Sequence, residues 1–264
     1  MKRWKCLCAY DGTDFAGWQS QPTGDAVQDH LEAALAAVFK SPVRIHGSGR
    51  TDAGVHALGQ VFHFDASWNH GRGKLLSALG SHLPSSIQLK SACPVSAAFH
   101  ARYSARAKRY HYRLYLGRAD PFETDYVLSI PFPLDVDAME RAGQCLIGKF
   151  DFSAFGAVGR GSCPRENPIK EFMAYRIRKR GKRIRMTFEA SGFLYKMARS
   201  LTGALLRVGQ GKLSPEDFEQ ILLSGMRTAD VVTAPPRGLF LEKVYYQPGI
   251  LPLTHISQKM RRER

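Results

Sequence analysis

The 264-residue chain is short of acid: 23 Asp and Glu stand against 38 Lys and Arg, for a formal net charge of +15. A surface that basic attracts polyanions, so nucleic acid is the first partner to consider, with a ribosomal or membrane-surface protein as the plainer competitor. The excess is uneven. Residues 1–100 hold 9 basic and 7 acidic residues, leaving net +13 to residues 101–264. Cysteine is also scarce. Cys6, Cys8, Cys93, Cys145 and Cys163 are odd in number and form no CxxC, and no His stands at zinc-finger spacing from a cysteine pair. That excludes a disulfide framework and a zinc ribbon, and fits reduced thiols in a cytoplasmic protein. No apolar run approaches the roughly 18 residues of a membrane span. Met1-Lys2-Arg3 is not followed by the apolar stretch of a signal peptide, because Asp11 and Asp14 arrive too early. There is no repeat and no low-complexity linker. With 44% hydrophobic and 23% charged residues, the composition is globular. At about 150 residues per domain the length suits two small domains or one large one.

What is present alternates between strand and helix signals. Residues 4–10, 43–47, 59–64 and 86–95 read as strands. A helix is expected at 26–39, capped by Asp25, with Val27, Leu31, Leu35 and Val38 on one face. A shorter helix is expected at 73–83. Residues 106–116 alternate cleanly: Tyr110, Tyr112, Leu114 and Leu116 share one face, and Arg109, His111, Arg113 and Tyr115 the other. Asp135 caps an expected helix at 136–147. Residues 172–179 and 182–190 pair as a hairpin across Arg180-Gly181. A long helix is expected from Phe193 to Val208. Ser214-Pro215-Glu216-Asp217 opens another, and 239–246 reads as a closing strand. Interspersed strands and helices with plausible hairpins favour α+β with mainly antiparallel sheets.

The Gly-flanked loop Gly47-Ser48-Gly49-Arg50-Thr51-Asp52-Ala53-Gly54-Val55-His56 carries the most chemical information. Glycines allow close backbone approach to a ligand, and a guanidinium two residues from Asp52 favours its ionised form. Such an Asp serves as a nucleophile, a base or a metal ligand; an Asx turn in a surface loop is the plain alternative. Metal catalysis lacks a second carboxylate close by in sequence, and no G-x-S-x-G elbow is present. His56, His100 and His111 are available as bases, although lone histidines more often serve the surface or the core. Cys6 and Cys8 share one side of a strand and read as packing.

At this loop the chain resembles a known family. Gly49-Arg50-Thr51-Asp52-Ala53-Gly54-Val55-His56-Ala57 is similar to the signature of the TruA family of tRNA pseudouridine synthases. Five further blocks follow in family order between about residues 4 and 246. They are Tyr10-Asp11-Gly12 with Phe15 to Gln19; Phe99 to Arg102 with Lys108 to Tyr112; Asp151 to Phe155; Gly192 to Tyr195 with Met197 and Arg199; and Ala234 to Leu239. Departures are Gly156 where the family commonly has Arg, a poor match over 157–171, Lys196 and Ala198, an unusually basic stretch at 176–185, and the tail after Tyr246.

The resemblance implies a pseudouridine synthase fold: two ferredoxin- or RRM-like α+β halves with antiparallel sheets continuing across a central catalytic cleft. Residues 1–105 would carry the Asp loop, 106–247 the second half, and 248–264 a basic tail. It implies Asp52 as nucleophile. Tyr110 would stack on the uracil or act as base for its C5 proton, and Arg199 would pair with the catalytic carboxylate. Arg50 would fill the gap left by the flipped base, and Leu239 would join the substrate site. No cofactor is implied, since the reaction neither oxidises nor transfers phosphate. The partners implied are tRNA, at uridines 38, 39 and 40 of the anticodon stem-loop, and a second subunit in a homodimer. Arg102, Arg106, Lys108, Arg178, Arg180 and Arg183 are candidates for phosphate contacts. A non-enzymatic tRNA-binding protein would need the basic surface but not Asp52, Tyr110 and Arg199 together; the same chemistry on another RNA is the third reading.

Overall fold

A computed structural model describes residues 1–157 and 167–247. Cys163, most of the poorly matching 157–171 stretch and the 248–264 tail lie outside the described residues. In chain order the elements are β1 (Lys2–Tyr10), α1 (Val27–Phe39), β2 (His46–Gly47), β3 (His56–Ala66), α2 (Arg72–Gly80), β4 (Ile87–Val95), β5 (Ala107–Leu116), β6 (Leu128–Ile130), α3 (Val136–Gln144), β7 (Gly148–Asp151), β8 (Ile169–Arg180), β9 (Arg183–Ala190), α4 (Met197–Gly209), α5 (Pro215–Ser224) and β10 (Leu239–Tyr245). Strand pairing is mostly antiparallel, while β10 runs parallel to β3 and β6 parallel to β5. The described chain divides into two compact units, Met1–Ala105 with Phe240–Val244, and Arg106–Leu239 with residues 245–247.

In the first unit β1 lies between β3 and β4, antiparallel to both. Its alternation buries Trp4, Cys6, Cys8 and Tyr10. The two cysteines therefore pack rather than react, and burial pushes the Cys6 thiol up to about 12. Helix α1 buries Val27, Leu31, Ala34 and Leu35 at helical spacing. Its N-cap is Ala26 rather than Asp25, because the Asp29 carboxylate accepts from the Ala26 N–H and closes the first turn from within. Strand β3 is longer than its apolar centre suggests, running from His56 to Ala66 because β1 pairs along most of its length.

In the second unit β9 lies between β5 and β8, and β7 pairs with β8. The β8–β9 turn uses Gly181 at φ 56°. Asp135 caps α3 through the Ala138 N–H, and Ser214 caps α5 through the Asp217 N–H, both as the residue types dictate. Helix α4 starts at Met197, not Phe193: Lys196 sits in the left-handed region at φ 59°, so Gly192–Tyr195 remain a non-helical approach. Its Met197, Leu201, Thr202, Leu205, Leu206 and Val208 are all buried, so α4 is covered on more than one face.

Candidate active site

In the first unit the Arg50–Asp52 loop is fastened from several directions. The Tyr10 and Thr51 hydroxyls share a buried 2.8 Å hydrogen bond. The Trp18 N–H donates to the Thr51 carbonyl at 3.0 Å, and the Val55 N–H closes the turn on the Asp52 carbonyl at 3.1 Å. Ser48 donates to the Gln60 side chain at 2.6 Å, and the Gln60 amide donates to the Gly49 carbonyl at 2.9 Å. Gly12 and Gly17 explain the opening block of the resemblance. A Cβ on Gly12 would collide with the Val55 carbonyl, and one on Gly17, at φ +95°, would lie 2.7 Å from the Thr51 oxygen. A Cβ on Gly47 would strike the Trp18 indole. Asp52 is half-buried on this loop and Arg50 is exposed beside it. His56 is buried, accepting from the Gly12 N–H at 3.0 Å and stacking on Phe240 at 4.5 Å.

The second unit gathers three of the matching blocks. Tyr110 is buried on β5 with its ring edge-on to Phe193 at 4.9 Å. Tyr112, two residues on, shares that face. Burial pushes its hydroxyl well above the ordinary tyrosine range, so it stays protonated and donates to the Pro235 carbonyl at 2.7 Å. Gly238 leaves room for the Tyr112 ring. Arg199, in the first turn of α4, donates from Nε to the Ala234 carbonyl at 2.7 Å, and the Ala234 N–H returns a bond to the Arg199 carbonyl at 3.1 Å. The 230–234 segment lies directly on α4 because Gly203 offers no Cβ to the Val232 carbonyl. Leu239 is buried at the start of β10.

Two supports of this arrangement escaped sequence reasoning. Arg227 donates to the Val231 carbonyl at 2.6 Å, the Gly156 carbonyl at 3.2 Å and the Ser200 and Thr233 hydroxyls. It ties the 230–234 segment to α4, and no local pattern marks it. Gln60 did leave a signal, a polar residue inside an apolar strand run. Of the other candidates, Arg102, Arg106, Arg178, Arg180 and Arg183 are exposed and Lys108 is half-buried. His111 is fully buried with Arg113 Nε 3.1 Å from one ring nitrogen and Arg185 Nη2 3.2 Å from the other. No group of three or more His, Cys, Asp or Glu suited to a metal occurs among the described residues.

The mostly antiparallel α+β arrangement and the glycine-clamped Asp52 loop agree with the resemblance carried by the sequence motifs. The family described as tRNA pseudouridine synthase matches residues 7–104 and 142–247, and the chain belongs to that family. It is 41% identical over 247 residues to tRNA pseudouridine synthase A of Brevibacillus brevis, covering 93% of this chain and 100% of that one. It is 42% identical to the protein of the same name from Halalkalibacterium halodurans, covering 90% of each. With the Bradyrhizobium protein it shares 42% identity over 93% of this chain and 100% of that one. A solved Cbf5–Nop10–Gar1 complex aligns at TM-score 0.37 and 10% identity, over 77% of this chain and 45% of that chain. No helix among the described residues is long and apolar enough to cross a membrane.

Proposed function

We propose that the protein isomerises uridine to pseudouridine in tRNA, at positions 38, 39 and 40 of the anticodon stem-loop, as a cytoplasmic homodimer needing no cofactor. The reaction breaks the N1–C1′ glycosidic bond, turns the uracil and joins C5 to C1′. C5 loses its proton and N1 gains one, so no electron is exchanged with another molecule. Asp52 is the nucleophile: a covalent adduct divides one hard step into two. Tyr110 lies under the uracil and takes the C5 proton, Arg199 is the supporting cation, and Leu239 adds apolar contact. Arg50, exposed on the Asp52 loop, fills the stack that the target nucleotide leaves.

The observation that carries this reading is the clamp on the Asp52 loop, in which Tyr10 holds the Thr51 side chain while Gly12, Gly17 and Trp18 lie against the backbone of residues 51–55. A reacting carboxylate works best when its backbone is already fixed. Asp52→Asn tests it. The variant should bind tRNA like the wild type and release no tritium from 5-labelled uridine, while pseudouridine mapping of wild-type product should mark positions 38–40. Full turnover by the Asn variant would remove Asp52 from the mechanism.

A further inference from the structure

The registers of β5, β9 and β8 sort the second unit's sheet into two chemically opposite faces. Tyr110, Phe188 and Tyr175 stand in one row, and Tyr112, Met186 and Ile177 in the next. This face is apolar and receives α3, where Gly143 makes space for the Tyr175 ring and Glu140 accepts from the Ile177 N–H. The alternate residues form the other face. Arg113, Arg185 and Arg178 stand opposite one another across the three strands, followed by Tyr115, Arg183 and Arg180. Arg176 stands in the row of His111 and Thr187. Two carboxylates answer part of this charge: Glu189 receives Arg109 at 2.6 Å and Glu123 receives Arg183 at 2.7 Å.

Like charges directly opposite on neighbouring strands destabilise a sheet. Crowding along β8 itself adds to this: the Arg176 guanidinium is pushed below the ordinary arginine range by burial first and by Arg178, two residues on along the same strand, next. Arg178, Arg180, Arg183 and Arg185 are nevertheless exposed in adjacent rows. Such rows become favourable when a polyanion lies along them and its counterions are released. The one aromatic ring in them, Tyr115, is overlaid by the Arg183 guanidinium at 5.8 Å, which suits phosphates rather than stacked bases. Tyr110 belongs to the opposite face of the same strand. A nucleotide stacked on Tyr110 and a phosphate on Arg178 are therefore separated by the thickness of the sheet, because successive strand residues point to opposite sides.

We propose that the Arg178–Arg185 and Arg180–Arg183 rows form a phosphate track for a part of the tRNA that does not carry the target uridine. This rests on the tRNA reading above. The track secures the body of the RNA and leaves the choice of uridine to the other face.

The test is the full chain with Arg178, Arg180 and Arg185 all replaced by Gln, beside a second variant with all three replaced by Lys. Affinity for full-length tRNA and for an isolated anticodon stem-loop is measured across a salt series. For the Gln variant, tRNA affinity should fall about 10- to 100-fold at low salt, and the slope of log affinity against log salt should become shallower by roughly 2 to 3. The preference for tRNA over stem-loop should shrink accordingly, and the Lys variant should restore the slope. An unchanged slope, or the same loss with both RNAs, overturns the track. So does a change in oligomeric state by sedimentation, which would make the face a subunit contact. Wild-type turnover of tRNA is measured alongside. Its absence would defeat the functional reading, whereas turnover with unaltered variant binding defeats the track alone.

Discussion

Acid should loosen the first unit through one residue, His63. Its ring is almost fully buried on β3, 5.0 Å from His46 and 4.7 Å from His100, and its Nδ1 accepts from the Ala101 N–H at 3.1 Å. Arg3 lies beside it, bridging β1 to Asp65 of β3 and to the Phe99 carbonyl. Burial, then His100, Arg3 and His46, depress the His63 pKa from 6.5 to about 4, with Asp65 opposing. The folded state therefore resists a proton that the unfolded chain accepts below about pH 6.5. Stability is level above that pH and declines as pH falls toward 4. At about 1.4 kcal/mol per pH unit, the loss by pH 5 is about 2 kcal/mol, and the full window is worth about 3 kcal/mol. For a chain of this size that corresponds to roughly 4–8 °C in thermal midpoint at pH 5. His63→Gln keeps an acceptor for Ala101 and carries no titrating group. Urea unfolding of both proteins between pH 7 and pH 5 should show the wild type losing stability and the variant losing much less. The remainder belongs to His100, also depressed by burial first. Parallel curves for the two proteins would refute the assignment.

Gly17→Ala should cost about 1–3 kcal/mol in unfolding free energy, from the positive φ and the approach to Thr51. It should also lower kcat, because the same contact seats Asp52; an intact kcat would contradict that link. Arg199→Lys removes the Nε donation to Ala234. A charged hydrogen bond of about 1.5–3 kcal/mol should be lost from the unfolding free energy, measured in urea, and tritium release should fall because the side chain loses its anchor; unchanged stability would refute the contact. Cys6 and Cys8 should resist a thiol reagent in the native protein and react after unfolding, because burial holds both thiols protonated. Rapid native labelling at either position, read by mass spectrometry, would argue against their burial.

Much of the architecture was legible because it is local. The alternation of β1, the caps at Asp135 and Ser214 and the Arg-rich hairpin each follow from a few adjacent residues, and the structure repeats them. The Asp52 loop was conspicuous through its glycines, and the two-faced pattern of 106–116 already separated Tyr110 from Arg109 and Arg113. Other features depended on partners that no sequence window contains. Asp25 looked like a cap, but Ala26 is the N-cap and Asp29 takes its N–H from within the first turn, and α4 begins later because Lys196 turns left-handed. Gly12 and Gly17 stand in the sequence only as members of the opening block of the resemblance; what requires them is the backbone of residues 51–55 pressed against them. Arg227 is one basic residue among many in the sequence, and only the packed 230–234 segment makes it a strut. The parallel pairing of Phe240 with His56 joins the end of the described chain to the strand following the Asp loop. Periodicity reports which side of an element is buried; which distant backbone lies against it is decided when the chain packs, and that contact sets where Asp52 and Arg199 are held.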